Sequence, residues 1–100
     1  MDRKTLLGAR NVIAQLQGWS ETGNRDAIHK RFEFPDFRTA FAFMSKVADF
    51  ADAHDHHPEW SNVYNRVDVE LTTHDAGGVT GLDLQLGHFM DAAAAQLKAA

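Results

Sequence analysis

The spacing of hydrophobic and polar positions changes along the chain, and each change marks an element. Residues 4–16 carry apolar side chains at helical spacing, which form one stripe: Leu6, Ala9, Ile13 and Leu16. Further along, the period becomes two, and one strand face carries Ile28, Phe32 and Phe34 together with Lys30. Turn-forming residues at 22–26 precede this strand. We therefore predict a helix over residues 4–16, ended by Gly18, and a β-hairpin over residues 19–34.

A second helix is predicted after Pro35, with Asp36 as its N-cap. Its buried stripe is assigned to six residues: Phe37, Phe41, Met44, Val47, Ala48 and Ala51. Phe43 and Phe50 lie off that stripe and widen the apolar face. We expect this helix to end near residues 52–54 and to be the main packing element of the core.

Residues 59–73 return to a period of two, with apolar side chains at Val63, Val67, Val69 and Leu71. A turn at residues 64–66 would divide this run into two antiparallel strands, although one long bent strand also fits the pattern. Gly77 and Gly78 predict a loop with positive φ. Thr80 and Asp83 form a T-x-x-D capping box that opens the last helix. The core face of that helix is predicted to be Leu82, Leu86, Phe89, Met90, Ala93 and Leu97.

The predicted order of elements is helix, two strands, helix, two strands, helix. This order favours an α+β fold of two layers, in which a four-stranded antiparallel sheet carries three helices on one face. The other sheet face would present charged and polar side chains, namely His29, Arg31, Glu33, Asp68 and Glu70. That face could contact water or a second copy of the chain. Residues 1–100 are too few for more than a single domain and contain no linker or repeat.

Composition narrows the possible classes of protein. Apolar residues make up 44% of the chain and charged residues 24%, as in ordinary globular domains. A net charge of -4 disfavours a general nucleic-acid surface, and the absence of cysteine excludes disulfides, thiol nucleophiles and thiolate zinc sites. The N-terminal residues lack the apolar core of a signal peptide, and no apolar run approaches the roughly 20 residues of a membrane span. We expect a soluble cytoplasmic protein.

The candidate chemistry lies in three histidines on either side of residues 59–73. His56 and His57 precede that run and His74 follows it, and histidine exchanges protons near neutral pH. Pro58 favours an extended His57, so the two adjacent rings should point in different directions. If residues 59–73 form a hairpin, its open ends meet and bring the three imidazoles together as an acid/base site. The alternative is three unrelated surface histidines at strand ends.

Other interpretations of this region are weaker. A metal site could draw on His54, His56 and His57 with Asp52, Asp55 or His74, but the H-x-H-H spacing matches no metal motif. Trp60 and Tyr64 could form an aromatic wall for a flat ligand, although core packing is commoner for aromatic residues on strands. Asp83 is predicted to be a helix cap rather than a catalytic carboxylate. Phosphate-loop, dinucleotide and α/β-hydrolase motifs do not occur in the sequence.

These residues also resemble those of a known family, the pterin-4a-carbinolamine dehydratases. The resemblance extends over nearly the whole chain, and it is carried above all by residues 55–60 (DHHPEW), Asn62, Val63, Tyr64, Asn65, Val67, Thr73, His74, Gly78, Thr80 and Asp83. It implies an antiparallel four-stranded sheet with three helices on one side. It also implies dehydration of 4a-hydroxytetrahydropterin to quinonoid dihydropterin, as in tetrahydrobiopterin recycling beside an aromatic amino acid hydroxylase.

The resemblance implies catalysis without metal or organic cofactor, in a homodimer or homotetramer. Some animal members also bind a homeodomain transcription factor, so a non-catalytic dimerisation or partner-binding module on the same scaffold is the alternative function. The catalytic set implied is His56, His57 and His74. The residues implied to bind the pterin are these three with Pro58, Thr73, Asp75 and Ala76.

Within that set we assign His74 as the acid at the 4a-hydroxyl and His56 as the base at N5, with His57 orienting the substrate. One position departs from the family, because some members carry arginine where this chain has Leu82. If that arginine assists the reaction in those members, this protein must act without it.

Overall fold

The computed structural model describes residues 4–99, and its element order is the predicted one. The elements are α1 (Ala9–Ile13), β1 (Ser20–Glu21), β2 (Ile28–Glu33), α2 (Phe37–Ala53), β3 (Glu59–Val63), β4 (Arg66–Leu71) and α3 (Gly81–Ala99), with a 3-10 turn at His74–Ala76. The strands form one antiparallel sheet in the order β1-β2-β4-β3. The predicted α+β class, with four antiparallel strands and three helices, is therefore confirmed.

Side chains alternate along the two central strands, β2 and β4, so the sheet has one buried face and one open face. Alternate side chains of β2 and β4 are buried on one face, namely Ile28, Phe32, Val67, Val69 and Leu71. The Phe43 ring from α2 packs against Phe32 and Phe34, with ring centroids 4.8 and 5.0 Å apart. The intervening residues form the open face, as the alternation predicts.

The first helix is shorter than predicted. It spans Ala9–Ile13 rather than residues 4–16, because Gly8 has a φ of +90° and the described residues before it are not helical. Leu6 pairs with Thr80 in an isolated antiparallel bridge, and the Leu7 and Gly8 amides both donate to the Val79 carbonyl. Long-range backbone pairing has thus overridden the local helical pattern. Gly18 has a φ of +80°, as expected for a residue that ends a helical turn.

The buried face of α2 is rotated from the predicted one. Its buried residues are Ala40, Phe43, Val47 and Ala51, whereas Phe37 and Phe41 are 46% and 55% exposed and Ala48 is also exposed. Apolar residues occupy so many positions of this helix that two neighbouring stripes are possible from the sequence. The stripe that is buried contains Phe43, whose ring fits between Phe32 and Phe34 on the buried face of the sheet. The predicted N-cap is confirmed, because the Asp36 carboxylate accepts from the Thr39 amide and hydroxyl at 2.8 and 2.7 Å.

Residues 59–71 form two strands, so the alternative of one long bent strand is wrong. The turn between β3 and β4 places Tyr64 at a φ of +51°. The Asn65 side chain holds this turn to the end of β2, because its amide donates to the carbonyl oxygen of Phe34 at 2.8 Å. This pairing brings the two open ends of the hairpin, at Glu59 and Leu71, to the same edge of the molecule.

The loop between β4 and α3 depends on its two glycines for different reasons. Gly77 has the predicted positive φ, at +74°. Gly78 does not, but a Cβ atom there would collide with the Asp26 carboxylate and would lie 2.7 Å from the Leu6 side chain. The first glycine therefore supplies a backbone conformation and the second supplies space.

The last helix opens with the predicted capping box. The Thr80 amide donates to the Asp83 carboxylate at 2.9 Å, and the Leu82 amide donates to the Thr80 hydroxyl at 3.2 Å. Most of its predicted core residues are buried (Leu82, Leu86, Met90 and Ala93), while Phe89 and Leu97 are partly buried against the core. In residues 4–99, no helix combines the length and the apolar character that crossing a lipid bilayer requires.

The rotated face of α2 makes a pair of substitutions informative. Phe43→Ala should lower the free energy of unfolding by about 3–5 kcal/mol, because it leaves a cavity between α2 and the sheet. Phe41→Ala removes the same atoms from an exposed position and should change it by no more than about 0.5 kcal/mol. Guanidinium unfolding of the two variants measures both values. Equal losses would contradict the observed orientation of the helix.

The N-cap of α2 predicts a dependence of stability on pH. The Thr39 hydroxyl and, next, its amide lower the pKa of Asp36 from the ordinary value of 3.8. Because the folded-state pKa is the lower one, the stabilisation is present above the unfolded value and is lost as the pH falls through the folded value. Asp36→Asn cannot titrate, so its urea midpoint should fall less steeply than that of the wild type between roughly pH 5 and pH 3. If the urea midpoints of the two proteins fall equally steeply with pH, the ionisation of Asp36 is not coupled to folding.

Candidate active site

The open end of the β3–β4 hairpin brings the three predicted histidines to one cleft. His56 and His57 follow the end of α2, where Asp55 turns the chain with a φ of +50°, and His74 begins the 3-10 turn after β4. The cleft has a volume of about 420 Å³. Beside the three histidines it is lined by Asp55, Pro58, Glu59, Thr73, Asp75 and Leu82, among others. Histidines separated by up to 18 positions thus share one surface because the hairpin closes.

Each of the three imidazoles is paired with a carboxylate through its Nε2 atom. His56 Nε2 lies 2.6 Å from Asp83 Oδ1, His57 Nε2 lies 2.8 Å from Asp52 Oδ1, and His74 Nε2 lies 2.8 Å from Glu59 Oε2. An ionised carboxylate can only accept, so this geometry places a proton on each Nε2. Within residues 4–99, no hydrogen bond engages the Nδ1 atoms of these rings. Each Nδ1 therefore stays available as a proton acceptor on a neutral ring or a donor on a charged one.

The His56 pair is the buried member of the set. The side chains of His56 and Asp83 are 10% and 0% exposed. The second oxygen of Asp83 accepts from the Thr73 hydroxyl at 2.8 Å and from the Thr80 amide at 2.9 Å. The carboxylate that caps α3 thus also holds the imidazole, and the prediction of Asp83 as a cap describes only half of its contacts.

The other two pairs are open to solvent. The His57 and Asp52 side chains are 55% and 82% exposed, and the His74 and Glu59 side chains are 71% and 45% exposed. Exposed pairs of this kind contribute about 0–1 kcal/mol of stability each, since water competes for both partners. Their importance for the cleft is therefore the orientation of the rings rather than the stability of the fold.

Arg25 adds a second contact to one of these carboxylates. Its guanidinium donates to Glu59 Oε1 at 2.7 Å and to Glu70 Oε1 at 2.8 Å. The hydrogen bond from Arg25, followed by that from His74, lowers the pKa of Glu59 from its ordinary value. Glu59 is accordingly a carboxylate, rather than a neutral acid, across the pH range in which histidines exchange protons.

Of the four other residues predicted to contact a substrate, three line the cleft and one does not. Pro58, Thr73 and Asp75 line the cleft, whereas Ala76 lies in the same 3-10 turn and is not among the residues that form its wall. A hydrogen bond from Lys4 lowers the pKa of Asp75 from its ordinary value. Leu82, the position at which the sequence departs from the resemblance, is a buried apolar part of the wall.

The remaining candidates lie outside this arrangement. Trp60 is half-buried against the core, whereas Tyr64 is exposed at the opposite end of the hairpin, so the two do not form one aromatic wall. His54 stacks on Phe50 with a centroid distance of 4.0 Å, and its Nδ1 lies 2.9 Å from the Phe50 carbonyl oxygen. Across the described part of the chain, no three histidine, aspartate or glutamate side chains gather closely enough to hold a metal ion.

The sequence patterns did not indicate that Asp52 and Glu59 hold histidines, or that Arg25 contacts Glu59. Asp52 was considered only as a possible metal ligand, and no site role was predicted for Glu59 or Arg25. The strand register could have suggested Glu59, because a hairpin places it at the same end as His74 and directly opposite Glu70. Arg25 lies in a turn, and a turn pattern does not indicate where a long side chain will reach.

Comparison with known proteins agrees with the resemblance in the sequence. The profile of the family described as Pterin 4 alpha carbinolamine dehydratase matches residues 5–93. A protein of Bordetella avium (strain 197N), named "Putative pterin-4-alpha-carbinolamine dehydratase", is 58% identical over 96 residues, which are 96% of this chain and 83% of that one. A protein of the same name from Bradyrhizobium sp. (strain BTAi1 / ATCC BAA-1182) is 52% identical over 97% of this chain and 98% of its own.

Two solved structures share the fold. One is a crystal structure named as a transcriptional coactivator/pterin dehydratase from Brucella melitensis, with a TM-score of 0.83 and 48% identity over 85% of this chain and 90% of that one. The other, a pterin dehydratase-like protein described as a RuBisCO assembly factor in the alpha-carboxysome, has a TM-score of 0.67 at 23% identity, over 78% of this chain and 90% of its own, and supports the fold alone. The profile match and the close relatives show that the chain belongs to the pterin-4a-carbinolamine dehydratase family.

Proposed function

We propose that this protein removes water from a 4a-hydroxytetrahydropterin to give the quinonoid dihydropterin. The observation that carries the proposal is a cleft in which three imidazoles are each held by a carboxylate. In the reaction a proton joins the 4a-hydroxyl, the C4a–O bond breaks and water leaves. A proton departs from N5, and its electron pair forms the C4a=N5 double bond. The step is redox-neutral, and a proton donor and a proton acceptor on either side of the ring suffice for it.

The environments of the histidines favour a division of roles. His56 has a buried carboxylate behind Nε2, which fixes the ring and stabilises the positive charge that develops when Nδ1 accepts the N5 proton. His74 is more exposed and stands beside Glu59, so it can exchange its proton with solvent between turnovers and act as the acid at the 4a-hydroxyl. His57 then orients the substrate from the extended segment before Pro58. Thr73 and Asp75 complete the wall around the pterin.

We also propose a physiological setting, which the resemblance to the family supports. We assign the protein to tetrahydrobiopterin recycling in the cytoplasm, beside an aromatic amino acid hydroxylase that supplies the carbinolamine. The assembly we propose is a homodimer or homotetramer. The open sheet face, with charged residues of both signs on β2 and β4, suits a contact between copies of the chain better than it suits nucleic acid, because the chain carries a net charge of -4.

A second candidate function is a non-catalytic interaction module. It is favoured by the open sheet face and by the similarity to the Brucella melitensis protein, whose name includes transcriptional coactivator. A scaffold of this kind has no need of three histidine–carboxylate pairs around one cleft. The two functions are therefore separable by substitutions at the histidines that leave assembly unchanged.

Replacement of His74 tests the enzymatic proposal. His74→Ala should slow the dehydration of freshly generated 4a-hydroxytetrahydropterin by about 10²-fold or more, because a positioned proton donor contributes roughly 10²–10⁴-fold. The rate is followed by ultraviolet absorbance and compared with the spontaneous loss of water. His88→Ala is the matched control, since His88 is an exposed histidine of α3 outside the cleft, and it should leave the rate within twofold of the wild type.

Sedimentation of the same variants measures their assembly and so tests the alternative function, the interaction module. An active wild type and an inactive but normally assembled His74→Ala variant support the enzyme. A well-folded wild type that does not accelerate dehydration contradicts it and favours the interaction module. If His74→Ala also loses its assembly, the histidine is a structural residue and its assignment as the acid is wrong.

A further inference from the structure

The register of the hairpin creates an electrostatic conflict that Arg25 resolves. Glu59 on β3 lies directly opposite Glu70 on β4, and like charges at paired positions destabilise a sheet. The Arg25 guanidinium lies between the two carboxylates and bonds both, through Nη2 to Glu59 and through Nη2 and Nε to Glu70 at 2.8 and 3.0 Å. These bonds, with that to Glu59 the largest, raise the pKa of Arg25 above its ordinary value. One cation thus bridges two facing carboxylates and offsets the repulsion between them.

The two oxygens of Glu59 have separate partners. Oε1 accepts from Arg25, while Oε2 accepts from His74 Nε2. A half-exposed carboxylate with a single partner would turn freely, and the resulting histidine contact would be weak. Two partners on opposite oxygens fix the plane of the carboxylate, so the position of the His74 ring depends on Arg25 as well as on Glu59.

The chain around Arg25 is itself anchored to the loop that carries His74. The carboxylate of the next residue, Asp26, accepts from the Val79 amide at 2.8 Å and from the Ala9 amide at 3.0 Å. The Asp26 carbonyl accepts from the Thr72 hydroxyl at 2.8 Å. Thr72 and Val79 flank the 3-10 turn on both sides. Hydrogen bonds therefore tie the turn before β2 to the turn after β4.

We infer that Glu59, supported by Arg25, is a positioning residue that holds the His74 imidazole for proton transfer at the cleft. The inference rests on the proposed dehydratase function for its effect on rate. Glu59 acts through His74 rather than on the reacting atoms, so its loss should lower kcat and leave KM nearly unchanged. The same contacts would serve only the stability of the sheet if His74 were a bystander, and the experiment distinguishes these two cases.

A double-substitution cycle on dehydration tests the coupling. Glu59→Gln should lower kcat about tenfold with KM within twofold, a part of the roughly 10²–10⁴-fold that a positioned proton donor contributes. In a His74→Ala background the same change should cost less than twofold, because the group that Glu59 positions is already absent. A residue with a structural role alone would lower the rate by the same factor in both backgrounds.

Arg25 provides a second, independent series. Arg25→Gln should lower kcat severalfold, and Arg25→Lys should restore part of that loss, since a lysine can still pair with Glu59 but cannot bridge both carboxylates with a planar group. The matched control is Asp68→Asn. Asp68 forms an ion pair of 2.8 Å with Arg31 on the same sheet face, has no contact with His74, and should leave kcat within twofold of the wild type.

The outcomes separate this inference from the proposed function. An active wild type with a non-additive cycle, a partial rescue by lysine and an unaffected Asp68→Asn variant supports the positioning role. An active wild type with additive losses, or a KM that rises while kcat is unchanged, overturns the positioning role and leaves the enzyme intact. A folded wild type without activity overturns both.

Discussion

The arrangement of the cleft depends on one buried carboxylate, that of Asp83. A carboxylate removed from water is costly unless donors surround it, and here the donors come from three different segments. They are the Thr80 amide at the start of α3, the Thr73 hydroxyl after β4, and His56 Nε2 after α2. Leaving a buried acceptor without one of its donors costs about 1–3 kcal/mol, so these hydrogen bonds hold the three segments together. The hairpin brings the histidines to one end, and Asp83 fixes the spacing of the parts around them.

Patterns that depend on neighbours in sequence were predictable. The N-cap at Asp36 and the capping box at Thr80 are read from residues three positions apart, and both are confirmed. The alternation that defines β2 and β4 gave the correct strands and the correct buried face. These features follow from local geometry, which needs no knowledge of what the element will contact.

Features decided by distant partners were not predictable from the same patterns. Residues 4–8 are not helical, because Leu6 pairs with Thr80, more than seventy positions away. The orientation of α2 is set by the space between Phe32 and Phe34, which only the assembled sheet defines. In the cleft, the histidines were found from the sequence, while Arg25 and Glu59 were missed because their contacts depend on strand register and on the reach of a side chain from a turn.

The three histidine pairs differ in how far water and dissolved ions can reach them. Asp83 is fully buried beside His56, whereas His57 and His74 and their carboxylates are largely open to solvent. Mobile ions weaken exposed charge pairs and barely affect buried ones. The three pairs therefore respond differently to ionic strength. Added salt weakens the His57 and His74 pairs and leaves the His56 pair almost unchanged, so the salt dependence of any reaction in this cleft reports on the two exposed pairs.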